Sequence, residues 1–458
     1  MSKVLIVSND RVARTMAGPA IRCWEMASLL AAHGHDVHLS VPRHSQPEPA
    51  PFQVFIGSER ALAEEERWAD VLVVQGFVLA KNPTLARTRK HLVVDLYDPY
   101  PIETLEAHAN RSLDYQVSNY WPTLATLMVQ LQVGDFFLCA SERQRDFWMG
   151  SLLTANRLNP STLGQDRLMR KLIDVAPFGT ASEPPRHSGR PAARGVLQGI
   201  EQDSKLAIWA GGVYNWFDPL SLVSAWPTVL RAVPEARLLF LGMRHPNPMN
   251  PKMEIAAQTV RLADELGLRD RGIVFNSEWV PYDRRQDFLL EADLGVSTHF
   301  ENLETRLSFR TRFLDYIWAG LPCVATEGDV FAEWVAANGT GRVVPYRDSE
   351  AIAAAMVELF TDDPERRACA ERVLACRPLY TWEHALAPLL RYCDEPWFAA
   401  DLGGRRDPGR SSGLVGGGLQ PPGGVLGRTV WFLRKEGPLP LIRRSLRKLR
   451  RELAASRR

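Results

Sequence analysis

Apolar positions along the chain fall into two alternating registers. Short continuous runs, in KVLIVSND from Lys3, WADVLVVQG from Trp68, KLAIWAGG from Lys205, EADLGVST from Glu291 and LPCVATE from Leu321, carry the unbroken hydrophobicity of parallel strands buried on both faces. Between them apolar residues recur three and four apart. Trp24, Ala27, Leu30 and Ala31 give one helix an inner face that Gly34 ends, and Phe313, Tyr316 and Ile317 do the same for a helix that Gly320 stops. Ser308 is the expected N-cap of that second helix. The alternation predicts α/β architecture: two successive doubly wound, Rossmann-like domains facing each other across a cleft. The expected segments are residues 1–178, residues 179–380, a closing helix over 381–396, a Gly/Pro-rich linker over 397–427 and a basic helical tail over 428–458. Ala181 to Gly199, rich in Pro, Gly and Arg, reads as an exposed linker or insertion.

Sheets of this kind bind ligands above the C-terminal ends of their strands, so the loops there hold the candidate chemistry. The first contains Gly18, Pro19 and Arg22. A later one contains Asp95, Tyr97, Asp98 and Glu103, where the two aspartates either cap a turn beside Pro99 or contact an acceptor. In the second half Gly211 and Gly212 follow a strand. The stretch from Ser297 to Asp329 then gives strand, polar loop with His299, Glu301 and Glu304, helix and strand in about thirty residues. A helix beginning just after a strand points its unpaired N–H groups and positive dipole end into the crevice. Arg306, Arg310 and Arg312 lie at or beside that start, and a guanidinium fork suits phosphate oxygens.

This stretch resembles the donor-binding segment of the retaining glycosyltransferases of GT-B fold, the glycosyltransferase family 4-like or group 1 enzymes. There a loop and helix run EGFG, four residues, Glu, then a small-residue turn and GLP. LSFR from Leu307 takes the EGFG place, Asp315 takes the second Glu, and AGLPCVAT follows. VAPFGT at Val175 to Thr180 resembles the family's crossover between domains, and TWEHA its closing helix. The resemblance implies a retaining enzyme that moves a sugar from a nucleotide-diphosphate sugar to a glycan, lipid-linked or small-molecule acceptor. It implies that Asp315 accepts hydrogen bonds from the nucleotide ribose, and that Gly18, Gly211, Gly212, Ser308, Phe309, Arg310, Thr311 and Arg312 surround the donor. Arg310, Glu304 and Asp98 are the candidate catalytic groups. Three departures stand out, the first being that the loop's second glycine falls on Arg310. The family's first Glu falls on Leu307, so Glu304 or Glu301 is the candidate substitute. The family's donor-phosphate Arg and Lys in the second domain fall on Gly212 and Phe217, which moves that role toward Arg310, Arg312 and backbone N–H groups. Asn215, Trp216 and Asp218 either shape the donor pocket or, for Asp218, cap a helix starting at Pro219.

Charge refines this picture. The net charge of the 458 residues is only +2, yet residues 428–458 hold eleven Lys and Arg against two Glu, which leaves the remainder near −7. Leu441, Ile442, Leu446, Leu449 and Leu453 recur at helical spacing among those basic residues, so the tail is expected to lie on an anionic membrane surface. Nucleic acid is a poorer partner, because few aromatics accompany the basic residues and the body is acidic. His299, Glu301 and Glu304 on one polar loop are read as solvated groups, so no metal ion or other cofactor is expected. The six cysteines form no CxxC pair and read as reduced core residues. With no signal-peptide core and no span of roughly 20 apolar residues, the catalytic body is expected in the cytoplasm, held peripherally at the inner face of the membrane. A nucleotide-sugar-binding protein without turnover, and an epimerase or phosphorylase on the same frame, are the alternatives.

Overall fold

The computed structural model describes residues 1–243, 246–247, 253–403 and 406. The basic tail and the linker beyond residue 406 lie outside them. Buried apolar strands assemble into two wholly parallel sheets. The first runs in the order β3-β2-β1-β4-β5-β6-β7, from β1 (Lys3–Val7), β2 (Asp36–Val41), β3 (Gln53–Ile56), β4 (Val71–Gln75), β5 (His91–Asp95), β6 (Phe136–Cys139) and β7 (Ile173–Val175). The second runs β10-β9-β8-β11-β12-β13, from β8 (Lys205–Trp209), β9 (Ala236–Phe240), β10 (Ile273–Phe275), β11 (Leu294–Ser297), β12 (Cys323–Thr326) and β13 (Gly341–Val344). Helices cover both faces, which is why the central strands carry no polar alternation. Strand order reverses between β1 and β4 in one sheet and between β8 and β11 in the other. Loops diverge at such a point and leave a crevice, so the topology sets a cleft between the two sets of C-terminal strand ends. This is the GT-B arrangement.

The second reversal point is fixed by one side chain. Tyr316, fully buried, places its hydroxyl 3.0 Å from the carbonyl oxygen of Ile208 in β8 and 2.9 Å from that of Val296 in β11. The same oxygen accepts the N–H of Ala210 at 3.1 Å. It thereby satisfies backbone groups of the two strands that diverge there, which burial would otherwise leave unpaired. Its ring lies against β11 so closely that a Cβ on Gly295 would fall 2.6 Å from it. Only glycine permits this approach.

Several contacts tie the two sheets across the cleft. Arg14 pairs with Asp283 at 2.9 Å, and Arg143 donates to the carbonyls of Arg306 and Gly328 and to Glu333. Gln144 Nε2 donates to the Leu307 carbonyl at 2.9 Å. The chain crosses between sheets at Gly179 and Thr180 and returns beside them, Trp382 N–H donating to the Thr180 carbonyl at 2.9 Å. A Cβ on Gly179 would lie 2.6 Å from the Trp382 Cα, so the two crossings need that glycine.

Some expectations are corrected. Residues 181–199 do not all run free: Glu291 accepts the backbone N–H groups of Ala192, Ala193 and Arg194 at 2.7 to 2.8 Å, docking the segment on the second sheet. The expected linker does not begin at residue 397, because Trp397 donates to the Lys171 carbonyl, Ala399 is buried and Asp401 pairs with Arg157. No helix among the described residues is long and apolar enough to cross a membrane. All six cysteines are free.

Replacing Tyr316 with Phe leaves the Ala210 N–H without its buried partner. Tyr316→Phe is expected to lower stability by about 1–3 kcal/mol, read from urea unfolding. An unchanged midpoint and slope would show that the hydroxyl does not hold the reversal point.

Candidate active site

The loops after β1, β5, β8 and β11 enclose a cavity of about 560 Å³. Gly18, Asp98, Gly211, Gly212, Glu304, Ser308, Phe309, Arg310, Thr311, Arg312 and Asp315 all line it. Glu301 and Arg306 are exposed outside it. Of the two substitutes for the absent Glu, the geometry therefore leaves Glu304 in the cleft.

The local fold differs from the expected one at the helix start. Asn302 accepts the Thr305 N–H at 2.7 Å and caps a separate short helix, Leu303–Leu307. That turn buries Glu304 and ends at Ser308, whose hydroxyl donates back to the Thr305 carbonyl at 3.0 Å. Ser308 is thus the C-cap of the short helix and not an N-cap. The next helix spans Arg312–Ala319, its N-cap residue Thr311 makes no side-chain cap, and Asp315 lies in its first turn. Among the described residues no protein group accepts the amide N–H of Phe309, Arg310, Thr311 or Arg312. Four unpaired donors at the positive end of a helix thus sit on residues lining the cavity.

Two guanidinium groups lie beside them. Arg310 forms a two-pronged pair with Glu304, Nη1 to Oε1 at 2.7 Å and Nη2 to Oε2 at 2.6 Å, with both side chains buried. Arg312 donates through Nη2 to the Gly212 carbonyl at 2.9 Å. Its guanidinium carbon lies 4.3 Å from the centre of the Trp209 ring and 4.2 Å from that of Phe217. Phe217 also faces Arg310 at 4.6 Å. The residue that stands where the family has a lysine is therefore an aromatic platform for two arginines. Arg312 Nη1 is buried without a partner. Burial, together with the like charge of Arg310, brings the Arg312 group down to about 10, so it remains a cation at neutral pH.

Carboxylates balance these cations unequally. Burial pushes Glu304 up to about 7 against the pull of Arg310. Burial likewise pushes Asp329 up to about 6, although it caps the Val330–Asn338 helix through the N–H groups of Phe331 and Ala332. His299 is held neutral, down at about 3 by burial and by Arg310, and its Nε2 faces the Glu327 carbonyl at 2.9 Å. His299, Glu301 and Glu304 consequently turn toward three different environments. On the opposite wall Asp98 is raised to about 6 by desolvation, and the Glu103 carboxyl, raised well above its usual range by burial and by the neighbouring Asp98, donates a hydrogen bond to Asp98.

Other residues have roles that the sequence did not disclose. Arg22 does not face the cleft. It is fully buried, clasps Asp95 at 2.7 and 2.9 Å and donates to the carbonyls of Ala176 and Pro177. Asp95 also accepts the Tyr97 backbone N–H, as a turn cap does, and it is not among the residues lining the cavity. Arg285 was not singled out, yet it lines the cleft, pairs with Asp315 at 2.9 Å and stacks 3.8 Å from the Tyr282 ring centre. Asp218 caps its helix by accepting the Ser221 N–H at 3.0 Å. Trp216 lines the cleft, and Asn215 bridges to the Ala107 carbonyl of the first domain at 3.2 Å.

Two parallel sheets that face each other across a cleft define the GT-B fold. Residues 204–362, which hold the whole second sheet, match the family described as Glycosyl transferases group 1. Among curated proteins it is similar to phosphatidyl-myo-inositol mannosyltransferase of Mycolicibacterium smegmatis, 24% identical over 242 residues. That match covers 52% of this chain and 54% of the relative, so the chain spans about half the length of the curated relative it matches. Among solved structures it is similar to sucrose-phosphate synthase from Thermosynechococcus elongatus, with TM-score 0.62, 16% identity, and 86% of this chain and 99% of that one covered. It is also similar to Alr3699/HepE from Anabaena in complex with UDP and glucose, with TM-score 0.58, 14% identity, and 86% and 100% covered. At these identities the likeness is one of fold.

The raised carboxyls have a measurable consequence. Asp98, Glu304 and Asp329 titrate higher in the folded chain than the usual values of about 3.9 for Asp and 4.3 for Glu. Between about pH 4 and 7 the folded chain then holds more protons than the unfolded one, and these groups lower stability as pH rises through that window. Asp98→Asn removes one such charge. It is expected to match the parent at pH 4 and to exceed it by on the order of 1 kcal/mol at pH 8 in urea unfolding. A parallel pH dependence in both proteins would show that Asp98 carries no such penalty.

Proposed function

We propose that the protein transfers a sugar from a nucleotide-diphosphate sugar to an acceptor hydroxyl, with retention at the anomeric carbon. The observation that carries this reading is the cationic end of the cleft: the unpaired N–H groups of Phe309–Arg312 beside a buried Arg312 guanidinium that keeps one N–H without a partner. An anion is the ligand that such a constellation stabilises. Breaking the bond between the sugar carbon and the phosphate oxygen sends an electron pair to the diphosphate. Donors already fixed where that charge develops lower the barrier without reorganising. Gly211 and Gly212, lying against this wall, admit the diphosphate backbone closely because neither carries a side chain.

Asp315, oriented by Arg285, is placed to receive a ribose hydroxyl. Glu304, clamped by Arg310 and raised to about 7, stands beside the space for the transferred sugar. Asp98, on the facing wall, is ionised above about pH 6 and can take the acceptor hydroxyl proton as its oxygen bonds to the sugar carbon. Side-chain and backbone donors carry the leaving-group charge in this scheme without a metal ion. The curated relative is named a mannosyltransferase and one solved neighbour holds UDP with glucose, which supports a hexosyl donor.

The direct test incubates the purified full chain with UDP-, GDP- and ADP-sugars and with glycan, lipid-linked and small-molecule acceptors. Nucleoside diphosphate release and the anomeric NMR signals of the product are followed. Release with a retained anomer is expected, unaffected by a chelator. Interconversion of the donor sugar without nucleoside diphosphate release would instead identify an epimerase, and binding without either change a non-catalytic protein. Arg312→Ala is expected to depress turnover at least about tenfold, since it removes charge stabilisation needed most in the transition state. Asp315→Ala is expected to weaken nucleoside diphosphate binding by about 1.5–3 kcal/mol, measured by calorimetry. Unaltered affinity in a folded Asp315→Ala protein would remove this residue from the nucleotide site.

A further inference from the structure

The first turn of the helix Glu142–Thr154, which belongs to the first domain, reaches across to the second. Ser141 caps this helix by accepting the Gln144 N–H at 3.1 Å, and Gln144 Oε1 in turn accepts the Ala140 N–H at 2.8 Å. The arrangement is close to a capping box, in which Ser is followed three residues later by Glu or Gln. Only the oxygen of Gln144 takes part in the cap, so a glutamate would serve there as well. The amide nitrogen makes a bond that a glutamate could not. From a side chain with no exposure, Nε2 donates to the Leu307 carbonyl at 2.9 Å. Beside it Arg143 donates through Nη1 to the carbonyls of Arg306 and Gly328, both at 3.1 Å, and through Nη2 to Glu333 at 2.6 Å.

These carbonyls lie at the two segments that flank Arg310. Arg306 and Leu307 end the Leu303–Leu307 helix, and the last carbonyls of a helix find no partner within it. Ser308 Oγ serves Thr305, and the first domain serves the other two. That helix carries Glu304, the clamp of Arg310, and from its end the chain runs directly into the unpaired amides of Phe309–Arg312. Gly328 precedes Asp329, whose Oδ2 lies 3.7 Å from Arg310 Nε. At Gly328 φ is +103°, and a Cβ there would collide with the Tyr346 hydroxyl, so only glycine fits this turn. Because a peptide unit is planar, holding the Leu307 carbonyl also sets the direction in which the chain enters the amide row.

We propose that Gln144 and Arg143 are positioning residues for the diphosphate site: from the first domain they hold the Phe309–Arg312 amides and the Arg310 guanidinium in the geometry that receives the anion. Neither side chain lines the cavity, so both act through the backbone they hold. Their effect on turnover rests on the transferase reading, whereas their effect on anion binding does not. The donor wall, built from the second half of the sequence, is on this account completed by the first.

Two variants of the full chain test the proposal. Gln144→Glu keeps the cap on Ala140 and loses the donor, because a carboxylate only accepts. It is studied at about pH 8, well above the usual carboxyl range. Arg143→Met, at a side chain 27% exposed, releases the Arg306 and Gly328 carbonyls and carries the test if the buried substitution fails to fold. Folding is followed by urea unfolding. Calorimetry with pyrophosphate reads the anion site without any sugar. The isotope-labelled amide signal of Phe309, assigned by its loss in Phe309→Leu, reads the wall itself. In the parent, pyrophosphate is expected to bind and to shift that signal. In each variant the affinity is expected to fall about tenfold or more and the shift to shrink, and in sugar transfer kcat should fall by more than the donor KM rises, since charge on the diphosphate is greatest in the transition state. A merely structural part for these side chains would lower the unfolding midpoint and leave both the pyrophosphate affinity and the Phe309 shift at their parental values. That result overturns the proposal, as does a parent whose Phe309 signal ignores pyrophosphate. Weakened pyrophosphate binding by the variants of a protein that transfers no sugar would preserve the positioning role and remove the transferase reading, so the two fail separately.

Discussion

Keeping two guanidinium groups charged beneath an apolar sheet end is the constraint on which the donor side of this molecule depends. Charge removed from water must be met by countercharge, aromatic faces or hydrogen bonds. Arg310 is met by Glu304 in two parallel bonds and by the Phe217 ring, with Asp329 3.7 Å from its Nε. Arg312 is met by two rings and one carbonyl. That carbonyl, of Gly212, is also approached by Trp209 Nε1 at 3.2 Å, so the ring that supports the cation orients the turn as well. The Gly211–Gly212 turn, the Leu303–Leu307 helix and the start of the Arg312–Ala319 helix are thus parts of one electrostatic arrangement. Tyr316 fixes it to the strands below.

Much of this was legible in the sequence because it is local. Unbroken apolar runs separated by helical periodicity specify parallel strands, and parallel strands with helices on both faces specify loops above their C-terminal ends. The proposed site residues all sit in such loops or at the helix start after them, which is why one cavity gathers them. The misreadings concern partners distant in the chain or competing local caps. Arg22 looked like a cleft residue because its loop faces the cleft, but Asp95, 73 positions on, draws it under the sheet. Ser308 looked like an N-cap because serine precedes an apolar stripe. Asn302, six residues earlier, captures the cap and diverts the chain through an extra turn. That turn carries Glu304 inward and leaves Glu301 outside, a distinction that no spacing rule contained.

Phe217 shows how a departure from a family pattern can be informative. In isolation, phenylalanine at a phosphate-binding lysine's place suggests a decayed site. In the structure its ring supports two arginines that enter from a different segment, about a hundred residues later. Positive charge comes to the cleft from this later segment, and it is rigidly held, since a guanidinium stacked on rings has fewer rotamers open to it than a lysine on a flexible stem.

The two walls of the cleft carry opposite tendencies, and this polarity orders the substrates. The donor wall presents cations and amide N–H groups. The facing wall presents Asp98 and Glu103, two buried carboxyls that burial and neighbouring negative charge push toward their protonated forms. A diphosphate in the reverse orientation would meet the carboxylate pair and lose the amides, so binding energy selects a single direction of entry. In the proposed transfer the sugar lies between the walls, next to Glu304, whose charge burial opposes and Arg310 favours. In the proposed reaction negative charge departs toward the amide and guanidinium wall, and for the anomeric configuration to be retained the acceptor oxygen enters from that same face, its proton passing to Asp98. A symmetric, uniformly basic cleft would bind the donor as tightly but would give the acceptor proton nowhere to go.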